Sequence, residues 1–155
     1  EPLRLVGPRR PRDFHAAILA DHGLATMSPA APTWDHRPVR DTVLVVDDHV
    51  DFRASARAVL EAGGFDVVGE AGTGADGIRA AERLRPRIVL LDVRLPDLDG
   101  FAVADRLAEL PDPPAVVLIS SRSGRTYGSR LHRAAARGFL AKADLTVPAL
   151  RLVLG

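Results

Sequence analysis

From residue 43 onward, short apolar runs alternate with longer segments in which apolar residues recur at helical spacing. The runs have the length and β-branched content of buried strands, whereas the longer segments are typical of amphipathic helices. The pattern predicts strands over residues 43–46, 65–70, 88–91, 115–119 and 139–141, and helices over residues 50–62, 75–84, 101–110, 125–137 and 147–154. This strict alternation with short connections predicts an α/β fold, a doubly wound sheet of five parallel strands with helices on both faces.

Residues 1–41 differ in composition from the rest of the chain. Prolines interrupt this segment and basic residues cluster near its start, at positions Pro2, Pro8, Arg9, Arg10, Pro11, Arg12, Pro29, Pro32 and Pro38. Such a composition is typical of a tail or linker. We therefore expect a flexible N-terminal extension over residues 1–41 and one domain over residues 42–155. A short helix over residues 13–24 and a native start at Met27 are further expectations for the extension.

The composition excludes several classes of protein. With 46% hydrophobic residues, 26% charged residues and a net charge of +1, the chain lacks the basic surface of a nucleic-acid-binding protein. It has no cysteine, so it forms neither disulfides nor thiolate metal sites. No apolar run approaches the roughly 20 residues needed to span a bilayer, and no signal-peptide core is present. We expect a cytoplasmic protein whose partners are neither nucleic acid nor membrane.

Polar residues follow four of the predicted strands at the point where each strand ends. Asp47 and Asp48 follow the first strand and Asp92 follows the third. Ser120 follows the fourth strand and Lys142 the fifth. Because the carboxyl ends of parallel strands meet at one edge, where open α/β sheets bind ligands, these side chains are expected to share a site. Lys142 is the only lysine in the chain, which indicates a site that needs a compact ammonium group.

This set of groups indicates phosphoryl chemistry. Three carboxylates in one cleft repel one another, and a divalent cation with oxygen ligands removes that cost most directly. Mg²⁺ fits best, since it leaves room for water and for a phosphate oxygen. A hydroxyl and an ammonium group opposite the cation would complete a cradle for a phosphoryl group.

The same residues carry a resemblance to a known family. Four segments contribute to it, with the sequences VLVVDD (43–48), LLDVRLPDLDG (90–100), VLISS (117–121) and GFLAK (138–142). Together they resemble the receiver domain of bacterial two-component response regulators, over about residues 42–154. The resemblance implies a flavodoxin-like sheet with the strand order 2-1-3-4-5.

The resemblance also implies a role for each residue at the sheet edge. Asp92 would accept a phosphoryl group from a sensor histidine kinase or a phosphotransfer protein. Asp47 and Asp48 would hold Mg²⁺ together with the Asp92 carboxylate, and the backbone carbonyl of Arg94 would complete the protein ligands. Lys142 would pair with the phosphoryl oxygens.

Other residues would turn phosphorylation into a signal. Ser120 would be the switch hydroxyl, and Phe139 the aromatic ring that couples it to a surface formed by the fourth helix, the fifth strand and the last helix. Phe139 replaces the family's frequent Tyr, and Ala143 the usual Pro or Asp. Arg94 and Arg122 would cover the phosphoryl group and slow its hydrolysis, unless both side chains project into solvent.

The partner of that surface stays open. It would be a downstream protein, an output domain that is not part of this sequence, or a second copy in a homodimer. A DNA-binding output domain is one such candidate, since residues 69–71 and 139–142 resemble receivers that precede a helix-turn-helix domain.

Two alternative functions rest on the same residues. The segment GTGADG at residues 72–77 has the G-x-G-x-x-G spacing of a dinucleotide-binding loop, but that function leaves the polar residues at the strand ends unexplained. A receiver used purely as a protein-binding module, without phosphorylation, is the other alternative. His49 lies beside the acidic pair and is interpreted as a helix-start residue facing water, because no second histidine accompanies it.

Overall fold

A computed structural model describes residues 39–155 of the chain. The predictions for the N-terminal extension, namely its flexibility, the short helix over residues 13–24 and the start at Met27, lie outside the described residues.

The sheet has five parallel strands in the order β2-β1-β3-β4-β5, as predicted. The strands are β1 (Thr42–Val46), β2 (Asp66–Ala71), β3 (Ile88–Asp92), β4 (Ala115–Ser120) and β5 (Gly138–Ala141). In the register of the sheet, Asp92 pairs with Ile119 and Ser120 pairs with Ala141. The carboxyl ends of β3, β4 and β5 therefore lie side by side.

Five helices connect or follow the strands: α1 (Val50–Ala62), α2 (Gly74–Leu84), α3 (Gly100–Ala108), α4 (Ser129–Arg133) and α5 (Val147–Leu154). Four of them match the predicted helices to within two residues at each end. Among residues 39–155, no helix is long and apolar enough to cross a membrane.

Each face of the sheet has its own core, and β3 contributes alternately to both. Val89 and Leu91 pack with residues of α2 and α3 on one face. Ile88 and Leu90 pack with residues of α1 and α5 on the other. Because helices cover both faces, every residue of β3 is buried, which accounts for its uninterrupted apolar sequence.

The fourth helix is much shorter than predicted. Instead of one helix over residues 125–137, the structure has a 3-10 turn at Gly124–Thr126 and then α4 at Ser129–Arg133. Gly128 lies between them with φ +52°, in the left-handed region that interrupts a right-handed helix. None of the five residues of α4 is buried, so no deeply packed face stabilises a longer helix.

Candidate functional site

The predicted site residues lie together at the carboxyl edge of the sheet. Asp47 and Asp92 directly follow or end the neighbouring strands β1 and β3, and they are 0% and 4% exposed. Ser120 ends β4 and is 3% exposed. These three are the buried polar or charged residues among residues 39–155. Burying such groups costs free energy, so their concentration at one edge makes this edge the candidate functional site.

Lys142 approaches the two buried carboxylates from the end of β5, the edge strand of the sheet. It begins the 3-10 turn that follows β5, and its side chain is 12% exposed. Its Nζ lies 2.5 Å from Asp47 Oδ2 and donates a hydrogen bond of 3.2 Å to Asp92 Oδ2. The ammonium group also lies 4.6 Å from the centre of the Phe52 ring, a cation–π contact.

These contacts keep Lys142 charged. Burial lowers the pKa of Lys142, but the close ion pair with Asp47 and the charge of Asp92 outweigh burial and raise the pKa above its ordinary value. The ammonium group is therefore present at neutral pH, opposite the two carboxylates.

The Asp92 carboxyl group is held in a less favourable environment. Burial raises the pKa of Asp92 above its ordinary value. The Arg94 N–H group donates a hydrogen bond to Oδ1 at 3.2 Å, which lowers the pKa but does not offset burial. The charge of Asp47 raises the pKa further, whereas Lys142 lowers it. An acid with a raised pKa, between a second acid and a lysine, is the kind of group that active sites and switch sites contain.

The acidic cluster fits a divalent cation. Ligand atoms of Asp47, Asp48, His49 and Asp92 lie within 4.8 Å of one another. Asp47 Oδ2 is buried without a hydrogen bond, because the nearby Lys142 ammonium provides charge at 2.5 Å but not hydrogen-bond geometry. Three carboxylates against one ammonium group leave an excess of two negative charges when all are ionised. Oxygen ligands with this excess charge suit Mg²⁺.

His49 is exposed, as predicted, but it is not isolated from the acids. Its side chain is 66% exposed, and its Nδ1 lies 3.1 Å from Asp47 Oδ1 and 3.0 Å from Asp48 Oδ1. Its backbone N–H also donates to Asp47 Oδ1 at 2.8 Å. The residue before α1 therefore helps to orient Asp47.

The loop after β3 folds back tightly beside Asp92. The Gly100 N–H group donates to the Val93 carbonyl at 2.8 Å, and Asp99 caps α3 by accepting a hydrogen bond from the Phe101 N–H group at 2.9 Å. A Cβ atom at Gly100 would lie 2.3 Å from the Asp92 carbonyl oxygen. Only glycine permits this approach, so Gly100 determines where the loop carrying Arg94 sits.

The glycine-rich segment at residues 72–77 is explained by packing and capping. The N–H groups of Gly74 and Ala75 at the start of α2 donate to the Asp97 carboxylate at 2.7 and 2.9 Å. These two hydrogen bonds, Ala75 first, hold the pKa of Asp97 below its ordinary value. A Cβ atom at Gly77 would lie 2.9 Å from Val46, so this glycine allows α2 to pack on β1. The amides that would bind a pyrophosphate already have a partner.

Ser120 and Phe139 both contact Tyr127, a residue that sequence analysis did not identify. Tyr127, which follows the 3-10 turn, places its hydroxyl 2.6 Å from Ser120 Oγ. Its ring lies 5.9 Å from the Phe139 ring, centre to centre. Tyr127 lies in a segment predicted as a polar helix, and the one available signal was that it is the only tyrosine in the chain.

The Arg94 and Arg122 side chains are exposed. Within residues 39–155, neither forms a side-chain hydrogen bond or an ion pair. Their backbone N–H groups, in contrast, donate to Asp92 Oδ1 and Ser120 Oγ at 3.2 and 3.1 Å.

The chain belongs to the response regulator receiver domain family, since a family model with that description matches residues 43–148. It therefore contains the receiver domain of a two-component response regulator, a class of domain that works as a phosphoacceptor switch. Family membership also argues against the dinucleotide-binding alternative.

Proteins that are similar in sequence agree with this assignment. The "Virulence factors putative positive transcription regulator BvgA" of Bordetella pertussis is 36% identical over 100 residues, which cover 64% of this chain and 48% of that protein. The "Transcriptional regulatory protein PdtaR" of Mycobacterium tuberculosis is 34% identical over 116 residues, 72% of this chain and 56% of that protein. The chain spans about half the length of the curated relatives it matches.

Among solved structures, the signal receiver domain of the putative response regulator NarL from Mycobacterium tuberculosis is similar to this chain. The TM-score is 0.68 and the identity 33%, with 76% of this chain and 99% of that domain covered. The predicted fold class and family are thus confirmed.

Proposed function

We propose that Asp92 accepts a phosphoryl group from a phosphohistidine on a sensor kinase or phosphotransfer protein. A carboxylate oxygen of Asp92 attacks phosphorus, an O–P bond forms, and the P–N bond to the donor imidazole breaks. The imidazole leaves with the bonding electron pair and takes up a proton. The observation that carries this proposal is the Asp92 carboxylate, buried at the end of β3 between Asp47 and Lys142.

The surrounding residues support the transfer. Asp47, Asp48 and Asp92, with the backbone carbonyl of Arg94, would hold Mg²⁺. When bound there, Mg²⁺ would neutralise negative charge as the carboxylate and the phosphoryl oxygens approach. Lys142, kept charged by the two acids, would pair with a phosphoryl oxygen.

Phosphorylation would act on partner binding through the fourth and fifth strands. Ser120 would turn toward the new phosphoryl group, and Phe139 would transmit this change to the surface of α4, β5 and α5. The residues of β5 are all half-buried, and none of α4 is buried, so this surface can rearrange at low cost. A downstream protein, an output domain or a second copy of the chain would read the change.

The lifetime of the phosphoryl group would depend on Arg94 and Arg122. Because neither side chain forms a hydrogen bond or an ion pair within residues 39–155, both could cover a phosphoryl group and impede water. Arg94→Ala and Arg122→Ala should each speed the loss of the phosphoryl group, followed by intact-protein mass over time. Decay rates unchanged in both variants would contradict this role.

The experiment that tests phosphorylation is intact-protein mass after incubation with acetyl phosphate, with and without Mg²⁺. We expect a gain of one phosphoryl group that requires Mg²⁺ and is absent from Asp92→Asn. Asp66→Asn is the matched control, because Asp66 is an exposed carboxylate at the opposite edge of the sheet. No gain in the folded parent protein would instead favour the phosphorylation-independent binding module.

A further inference from the structure

The hydroxyl of Ser120 is already engaged in the structure. Its Oγ lies 2.6 Å from the Tyr127 hydroxyl and accepts a hydrogen bond from the Arg122 N–H group at 3.1 Å. Among residues 39–155, these are its hydrogen-bond partners, and no carboxylate is one of them. The hydroxyl expected to meet a phosphoryl group is therefore hydrogen-bonded to the segment between β4 and α4.

Ring packing determines where the Tyr127 hydroxyl lies. The ring is half-buried, with its centre 5.8 Å from that of Phe101 in an edge-on arrangement and 5.9 Å from that of Phe139. Aromatic pairs at these distances favour definite orientations. The two phenylalanines thus hold the tyrosine so that its hydroxyl meets Ser120.

The same tyrosine connects Ser120 to the outer surface. It lies just before α4, whose Arg130 contacts the Asp99 carboxylate at 2.5 Å and lies 4.2 Å from the Phe101 ring centre. A cleft of about 400 Å³ borders both Tyr127 and Arg130, so there is open space beside the tyrosine. A change at Ser120 therefore reaches α4 through one side chain.

We propose that Tyr127 is a positioning residue that holds the Ser120 hydroxyl in the resting state. When Ser120 turns toward a phosphoryl group on Asp92, it gives up the Tyr127 hydroxyl, which frees Tyr127 and the α4 segment attached to it. The Ser120–Tyr127 contact thus stabilises the resting state, and its loss would change the position of the α4 segment. This inference rests on the proposed phosphorylation of Asp92.

The proposal assigns to Tyr127 a coupling role additional to that of Phe139. Phe139 has no hydroxyl, so it cannot compete for Ser120. Tyr127, which follows the 3-10 turn after β4, places its hydroxyl next to Ser120. Removing that hydroxyl while keeping the ring should therefore change the balance of the switch but leave the aromatic packing intact.

The first test measures the affinity for beryllofluoride, a mimic of the phosphoryl group, by calorimetry in the presence of Mg²⁺. Tyr127→Phe should bind beryllofluoride about 2- to 12-fold more tightly than the parent, because one net hydrogen bond no longer has to be broken. Ser120→Ala should abolish this difference, and Ser120→Thr, which keeps a hydroxyl, should retain it. Unchanged or weaker binding by Tyr127→Phe overturns the proposal.

A second readout uses the fact that Tyr127 is the only tyrosine in the chain. Labelling with 3-fluorotyrosine gives one fluorine resonance, which should shift when beryllofluoride and Mg²⁺ are added. Ser120→Ala should displace the resonance of the resting protein. A resting resonance that is identical in the parent and in Ser120→Ala shows that the contact is absent and overturns the proposal.

The two proposals fail in different ways. If the parent binds beryllofluoride and is phosphorylated on Asp92, but Tyr127→Phe behaves like the parent, the role of Tyr127 is wrong and the proposed function stands. If the folded parent neither binds beryllofluoride nor gains a phosphoryl group, both proposals fall.

Discussion

The two halves of the sheet, β2-β1-β3 and β4-β5, are built differently. Every residue of β3 is buried, whereas all four residues of β5 are only half-buried. The helices beside the first half, α1 and α2, have 13 and 11 residues and each contributes buried positions. On the second half, α4 has five residues and none is buried.

Under the proposed function, this difference separates the site of phosphorylation from the surface that would respond to it. Asp47 follows β1 and Asp92 ends β3, two strands that are packed on both faces, so the two carboxylates are held in position. Tyr127 and α4 are attached to the domain mainly through side-chain contacts near its surface. Weakly packed segments open at low free energy, which is what a switching surface requires.

The largest effect should come from a matched pair of leucines. Leu91→Ala removes a fully buried side chain from β3 and should lower the free energy of unfolding by about 2–5 kcal/mol. Leu140→Ala, on half-buried β5, should cost less than about 2 kcal/mol. Urea denaturation measures both, and equal losses would show that the two halves are equally packed.

Gly100→Ala should cause the second-largest loss of unfolding free energy. The added Cβ would meet backbone atoms, the Asp92 carbonyl oxygen at 2.3 Å and the Val93 Cα at 2.7 Å, which cannot move independently. We expect a loss of about 1–3 kcal/mol in unfolding free energy and slower phosphorylation of Asp92. Gly72→Ala is the control, because the atom nearest to its added Cβ is an Arg53 side-chain nitrogen at 3.4 Å, an ordinary van der Waals distance, and its effect should stay within about 0.5 kcal/mol.

Asp92→Asn should stabilise the protein by about 1 kcal/mol at pH 7 in a buffer with chelator, since an ionised acid beside Asp47 is removed. The folded state raises the pKa of Asp92, so the folded chain binds its proton more tightly than the unfolded chain does. The parent should therefore lose stability relative to Asp92→Asn as pH rises from the unfolded pKa, about 3.9, through the raised folded pKa.

Unfolding measured across that pH range checks the expectation. A difference between Asp92→Asn and the parent that shrinks as pH rises would contradict the raised pKa. Adding Mg²⁺ should stabilise the parent more than the variant, because a ligand that binds the folded state shifts the equilibrium toward it.

The smallest effect should come from Arg130→Gln on α4. Its side chain is half-exposed, and the Asp99 contact it loses should be worth less than about 1 kcal/mol and fade at high salt. Arg53→Gln is the counterpart on α1, where the largely buried guanidinium donates to the Asp47 carbonyl at 2.6 Å and to Glu70 at 3.2 Å. A larger loss of unfolding free energy for Arg53→Gln than for Arg130→Gln would support the difference between the two halves, and the reverse order would contradict it.

Much of the fold was predictable because its signals are local. Residues 88–91 are apolar without interruption since both faces of β3 are covered, and the prolines and glycines between elements mark where each one ends. The grouping of Asp47, Asp92, Ser120 and Lys142 was also predictable, because parallel strands place all their carboxyl ends at one edge.

Tertiary structure alone decided the features that depend on contacts between distant segments. The Asp97 carboxylate caps α2 from 22 to 23 residues away, and the length of α4 depends on how little of it is buried. The meeting of Tyr127 with Ser120 depends on the rings of Phe101 and Phe139 on other elements. Periodicity reports which face of an element is apolar, but which side chains then meet is determined by packing between elements.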